Sequence, residues 1–233
     1  MPCRAKRPDK LLRDTLTLGS LLDSENPANE FRVVHGEFAR DPDYRDWQRL
    51  DLTDDVFARG YYVHTFNRLV PWETYFAAHP EYFAWMNGKR IKDQLCLSRL
   101  EVLEIAIARL KAEMAAQPDK KIWSVSQNDN FSYCQCDDCR KIIAEEGSAA
   151  GPIIRFVNAV AARFPDKIIS TPAYQYSRQA PRITRPAANV QIMLCTIELN
   201  RSLPIAEGTK QLPDWHPSAG GASWVFVDEI VAR

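Results

Sequence analysis

This sequence predicts an α/β fold of the (β/α)8-barrel type, incomplete within the chain. Three observations lead there. Strand-like apolar runs alternate with helical patterns along the whole length, which argues for a parallel sheet with right-handed crossovers. No glycine-rich first turn marks a doubly wound sheet. One apolar run, Lys121-Ile-Trp-Ser-Val-Ser126, stops at a polar tip, Gln127-Asn-Asp-Asn130. A buried strand that ends in amides and a carboxylate is how barrels place reactive groups at the carboxyl edge of the sheet. A complete barrel takes roughly 250 residues, and about six strands can be placed before Arg233. The chain is therefore expected to end before its barrel closes.

The elements follow in order. Residues 1–30 read as a weakly structured segment: a short amphipathic helix over 10–22, then the loop Asp23-Ser-Glu-Asn-Pro-Ala-Asn29. The partial barrel occupies 31–233. Residues 31–34 are a strand candidate, and Asp41 with Pro42 opens a helix as N-cap and first-turn proline. Aromatic and β-branched residues predict a strand over 61–66. Pro71 starts a helix to about Ala78, broken by His79-Pro80. Residues 95–97 form a short buried strand. Ser98 is placed to cap a helix running to about Ala116, with Val102, Ile105, Ala106 and Leu110 on its apolar face. Strands are expected over 122–126, 168–171, 190–194 and 224–227, and helices over 138–146 and 151–164.

Composition sets the outer limits. The 233 residues are 45% hydrophobic and 26% charged, with 30 basic and 30 acidic side chains. Such a chain can bury a sizeable core, and its balanced charge gives no reason to expect nucleic acid or an anionic membrane as partner. No apolar run approaches a membrane span, and the basic start Met1-Pro-Cys-Arg-Ala-Lys-Arg7 lacks the apolar core of an export signal. Walker, zincin and G-x-S-x-G motifs are absent.

The polar tip carries the chemistry. Glycosidic cleavage needs a carboxyl group that protonates the leaving oxygen or stabilises positive charge at the anomeric carbon. Asp129 meets the positional requirement, and Gln127, Asn128 and Asn130 are candidates to orient it and to bind sugar hydroxyls. The bland reading makes Asp129 a turn former. His64, inside an aromatic run, is a candidate partner for a substrate hydroxyl or for Asp129; a histidine bonded to a backbone carbonyl is the alternative. Glu198 and Asp228 follow strand candidates and are possible second carboxylates, or solvated loop acids. Tyr174 and Tyr176 lie at a strand end, where aromatic rings can stack on sugars. The implied partner is a carbohydrate.

Six cysteines are spread unevenly. Cys134, Cys136 and Cys139 can bring three sulfurs to one tetrahedral ion, with Cys96, Cys195, Asp137 or Asp138 as fourth ligand. No other cofactor is required by the reading, and a structural zinc is the one candidate. A Cys134–Cys139 or Cys136–Cys139 disulfide, free thiols, or a partial site are the alternatives.

Several strings together carry a family likeness: His64-Thr-Phe66, His79-Pro-Glu-Tyr-Phe83 with Asn87-Gly-Lys-Arg90, Gln94-Leu-Cys-Leu-Ser98, Val125-Ser-Gln-Asn-Asp129 with Cys134-Gln-Cys136 and Cys139, then Asn189-Val190 and Cys195. In this order they resemble a bacterial family, domain-of-unknown-function family 4838. The resemblance implies a glycoside hydrolase-like barrel similar to those of hexosaminidases and α-glucuronidases. His64 and Asp129 match the family's strand-end polar motifs, and Asp228 matches an Asp of a Trp-Asp-Tyr string, here flanked by Val227 and Glu229. The adjacent acidic pair of substrate-assisted hexosaminidases is replaced by Asn128-Asp129. The expected function is glycosidic hydrolysis with strand-end carboxylates; the rivals are a non-catalytic carbohydrate-binding barrel and an inactive truncated fragment.

Overall fold

The centre of the structure is a parallel sheet in which each strand lies beside the one that precedes it in sequence. The computed structural model describes residues 31–195, Ser202 and the backbone of 224–227, all within one unit, Phe31–Arg233. Helices α1 (Pro42–Gln48), α2 (Thr53–Val56), α3 (Phe66–Leu69) and α4 (Trp72–Tyr75) come first, then the strands β1 (Phe83–Met86) and β2 (Lys89–Leu95). Helix α5 (Leu100–Ala116), β3 (Ile122–Ser124), α6 (Asp137–Glu146), α7 (Ala150–Ala161), β4 (Ile168–Ala173), β5 (Val190–Cys195) and β6 (Trp224–Val227) follow. The sheet order is β3-β4-β5-β6, parallel throughout, with Ser124 beside Ser170 and Ser170 beside Gln191.

Alternation along these strands divides the sheet into two faces. Trp123, Val125, Ile169, Ala173, Val190, Ile192 and Leu194 form one core cluster with Val102, Ala106 and Leu110 of α5 and Ile153, Val157 and Val160 of α7. Both long helices therefore cover the same face. Burying each such aliphatic or aromatic side chain contributes about 1.5–3 kcal/mol relative to exposure. The other face carries buried Ser124, Ser170 and Gln191 in one row. Ile122 and Met193 on that face join Phe57, with Val56 at the end of the short α2 packed against them, and among the described residues no long helix covers it as a doubly wound sheet requires.

Several sequence expectations shift. Asp41 does cap α1, accepting from Tyr44 N–H at 3.2 Å with Pro42 in the first turn. The strand expected over 61–66 is instead an irregular fifth rank beside β3. Phe57 bridges Ile122 in parallel, and the Thr65 and Phe66 amides donate to the Ser126 carbonyl at 3.1 and 3.0 Å. Gly60 (φ 78°) and His64 (φ 57°) sit in the left-handed region and break the extended run. Residues 31–34 form no strand. The strand expected at 95–97 ends at Leu95, because β2 pairs antiparallel with β1 across the turn Asn87-Gly88. Both turn residues have positive φ, 51° and 76°, as a two-residue hairpin demands. Helix α5 starts after Arg99 with no side-chain cap, so Ser98 is left for another role, and Ile107 is buried with Val102, Ala106 and Leu110 while Ile105 packs half-buried against the same core. The short α4 ends at Tyr75 rather than Ala78.

The link from α6 to the β4–β5 connection rests on one buried carboxylate. Glu146 accepts from Arg155 at 2.6 Å and from the Ile183 and Thr184 amides at 3.0 and 2.9 Å. The fit needs Gly151, where a Cβ would fall 2.5 Å from the Glu146 Cγ. Burial alone would raise the Glu146 pKa, but bonds from Thr184, Arg155 and Ile183 outweigh it and hold it at about 2. Because this lies below the ordinary 4.5, the carboxylate's contribution to stability is complete above about pH 4.5 and fades as pH falls towards 2. Denaturation of Glu146→Gln followed from pH 7 to pH 3 should show a loss of about 2–3 kcal/mol at neutrality and a shallower acid slope than the parent chain.

Candidate functional site

Asp129 lies where the backbone leaves β3, and its exposed carboxylate is reached from the end of the neighbouring strand. Its Oδ1 accepts from the Tyr174 hydroxyl at 2.9 Å and from Gln175 Nε2 at 3.1 Å. Among the described residues no donor reaches Oδ2. The two donors follow β4 directly, so the parallel pairing of β3 with β4 brings the three side chains together. Gln175 holds its place in the left-handed region, φ 50°.

The neighbouring amides are engaged in building the tip. Gln127 is fully buried; its Nε2 donates to the Tyr174 carbonyl at 3.0 Å, and its Oε1 accepts from Ser177 Oγ at 2.5 Å. Gln94, at the end of β2, grips the backbone of Asn128. Its Nε2 donates to the Asn128 carbonyl at 2.8 Å, and its Oε1 accepts from the Asn128 amide at 3.1 Å. The same Nε2 reaches Asn130 Oδ1 at 3.0 Å. Asn128 and Asn130 both donate their side-chain amides to the Asp93 carbonyl, at 2.8 and 3.2 Å.

His64 is bonded through Nδ1 to the Gln127 carbonyl at 2.8 Å. A carbonyl only accepts, so Nδ1 carries the proton and Nε2 is the nitrogen left to accept. No hydrogen bond joins His64 to Asp129; Tyr174 touches both, its ring centroid 5.9 Å from that of His64. His64 is thus bonded to a backbone carbonyl, and its contact with Tyr174 is a packing of rings rather than a hydrogen bond. Tyr176 points elsewhere, towards Tyr133 at 5.2 Å, and burial pushes its phenol above the ordinary range. With Phe66, Leu95, Cys134 and Cys139 these two rings line a cavity of about 20 Å³, room for one water and not for a sugar ring. Glu198 and Asp228 lie outside the described residues.

Sequence reasoning passed over Gln94, Gln175, Ser177 and Phe131. The last is 72% exposed two residues after Asp129. An aromatic residue inside a run of Asn, Asp and Ser was the available signal, since nothing in that run gives it a core to join.

Behind the tip the thiols converge. Cys96 Sγ lies 3.6 Å from Cys136 Sγ and 4.0 Å from Cys139 Sγ, and the sulfurs of Cys96, Cys134, Cys136 and Cys139 are all within 4.8 Å of one another. The described cysteines are free thiols, with Cys195 outside the group. Asp137 and Asp138 are exposed, and Asp137 pairs with Arg140 at 2.6 Å, so Cys96 completes the set. Hydrogen bonds from Cys134 and Cys139 hold the Cys96 thiol well below its ordinary pKa. Hydrogen bonds with Cys134 and Cys96, then burial, push Cys139 well above it. Cys134 is pushed up to about 12: its bond with Cys139 lowers it, but Cys96 and burial prevail. The first proton leaves easily, and each further charge meets the one already present.

Comparison with solved structures gives only distant likenesses. A variant α-galactosidase of glycoside hydrolase family 36 from Geobacillus stearothermophilus, in complex with 1-deoxygalactonojirimycin, is 10% identical with a TM-score of 0.30; the match covers 68% of this chain and 26% of that one. A second variant of that enzyme, in complex with raffinose, gives the same values. The galactosidase domain of an α-galactosidase-sucrose kinase is 12% identical with a TM-score of 0.27, over 67% of this chain and 25% of the other. The chain thus spans about a quarter of the length of these structures. No curated protein matches it. No helix among the described residues is long and apolar enough to cross a membrane. Residues 12–219 match the family described as "Domain of unknown function (DUF4838)", and the chain belongs to that family.

Proposed function

We propose that residues 31–233 are part of a (β/α) barrel that hydrolyses a glycosidic bond at the carboxyl ends of its strands. One observation carries this reading: an exposed carboxylate, Asp129, is oriented by Tyr174 and Gln175 from the end of the adjacent parallel strand. Both long helices on one face of the sheet, with no long helix among the described residues on the other, support the barrel type over a doubly wound sheet.

In this reading Asp129 is a base, nucleophile or charge stabiliser. Both its partners donate to it, an arrangement suited to a carboxylate that faces positive charge at the anomeric carbon. His64 Nε2 binds a sugar hydroxyl, and Tyr174 holds Asp129 through its hydroxyl while its ring packs against His64. Phe131 offers an apolar ring to a sugar face. Gln127, Asn128 and Asn130 hold the tip and contribute what remains of their polar edges to binding. The acid partner is Glu198 or Asp228.

The test is hydrolysis of a panel of aryl glycosides and oligosaccharides by the purified chain. Asp129→Asn should lower kcat on any accepted substrate by about 10²–10⁴-fold, and an unchanged rate would sink the assignment. Tyr174→Phe should cost about tenfold in kcat, the equivalent of one hydrogen bond of about 1.4 kcal/mol. Substrate that binds without turnover would favour the non-catalytic carbohydrate-binding reading. Gln94→Ala should lower the unfolding midpoint and raise KM together, because it frees the Asn128 backbone; calorimetry and steady-state kinetics on one preparation check this.

A further inference from the structure

We propose that Cys96, Cys134, Cys136 and Cys139 form a closed tetrathiolate site for a single tetrahedral metal ion, zinc by preference, that ties the β1–β2 hairpin to the loop behind Asp129. The spacing supports this directly. Metal–sulfur bonds of about 2.3 Å place tetrahedral ligands about 3.8 Å apart, and Cys96 lies 3.6 and 4.0 Å from Cys136 and Cys139. Disulfide sulfurs would stand about 2.0 Å apart. Sulfurs gathered within 4.8 Å fit one ion better than a multi-iron cluster, whose thiolates are carried on separate irons.

The surroundings are those of a thiolate site. The Trp85 amide donates to Cys134 Sγ at 3.3 Å. Ser98 Oγ lies 3.4 Å from both Cys96 and Cys139 and 3.8 Å from Cys136. Cys136 is the N-cap of α6 and Cys139 stands in its first turn, where the positive end of the helix dipole meets sulfur charge. Four thiolates around a divalent ion leave a net charge of about −2, which these donors and the dipole offset. With all four positions filled by protein there is no place for a substrate or an activated water. The ion is structural.

The inference stands apart from the carbohydrate reading, because its readouts are metal content and spectra. The chain purified under reducing conditions should carry one zinc per chain; one iron per chain would keep the site and change its metal, since both take four thiolates. Cobalt(II) exchanged into the protein should show tetrahedral ligand-field bands with thiolate charge transfer. Cys96→Ser should weaken ion binding at least about 10–100-fold, while Cys195→Ser leaves it unchanged. Should Cys96→Ser fail to fold, chelator titration of the parent chain decides: loss of the ion should expose four additional reactive thiols and lower the unfolding midpoint. A metal-free chain with the cluster joined as disulfides, or a Cys96→Ser chain that binds cobalt with the same affinity and spectrum, would overturn the proposal.

Discussion

A single buried carboxamide, Gln94, sets the geometry on which the rest of the site depends. It gives the Asn128 backbone both of the hydrogen bonds a sheet neighbour would have supplied, at 2.8 and 3.1 Å, just where the chain leaves β3. A backbone amide and carbonyl left unpaired at this depth would each carry a desolvation penalty of about 1–3 kcal/mol. With them paired, Asn128 can turn out of the sheet, and Asp129 is delivered to solvent while Gln127 stays within. The same residue begins the stretch that leads to Cys96 and Ser98, so the hairpin, the tip and the thiol cluster share one anchor.

A second anchor acts from the opposite side. Glu146 ends α6 and fixes the connection that runs from β4 to β5, whose first residues are Tyr174 and Gln175. Arg155 closes the pair from α7. Removing either partner of such a buried pair costs more than the pair itself contributes, because the survivor keeps its desolvation cost. The site is thus held between two polar contacts, one tying the hairpin to the strand tip and the other tying α6 to the β4–β5 connection, and neither touches Asp129.

The parallel strands were legible because each is a short run in which apolar or β-branched residues predominate, set between helical patterns and turn residues. The cap at Asp41-Pro42 was legible because its chemistry is local. What could not be read was decided by long-range contacts. The run over 61–66 has strand composition, yet Gly60 and His64 take positive φ because the Thr65 and Phe66 amides turn in to meet Ser126. The hairpin was missed although Asn87-Gly88 is the strongest short hairpin signal, because Phe83 to Met86 carries no clear alternation. Asp129 stood out from its neighbours in the sequence, but nothing local indicated that Gln127, Asn128 and Asn130 spend most of their hydrogen bonds on the scaffold. That Cys96 joins the other three thiols was one option of four until the fold closed the distance.

His64 and Gln175, the two residues that flank Tyr174 and its bond to Asp129, are both non-glycine residues in the left-handed region. Each conformation costs about 1–2 kcal/mol and survives only because the contacts around it compel it. That energy is returned whenever the tip opens. Local opening there is therefore cheaper than in the adjoining sheet, where strands are extended and the helix-covered face is sealed by α5 and α7. The rim of the sheet becomes a place where amides exchange with solvent ahead of the global transition, and where a ligand that closes over the carboxylate would have stored energy to hold in place rather than a relaxed surface to deform.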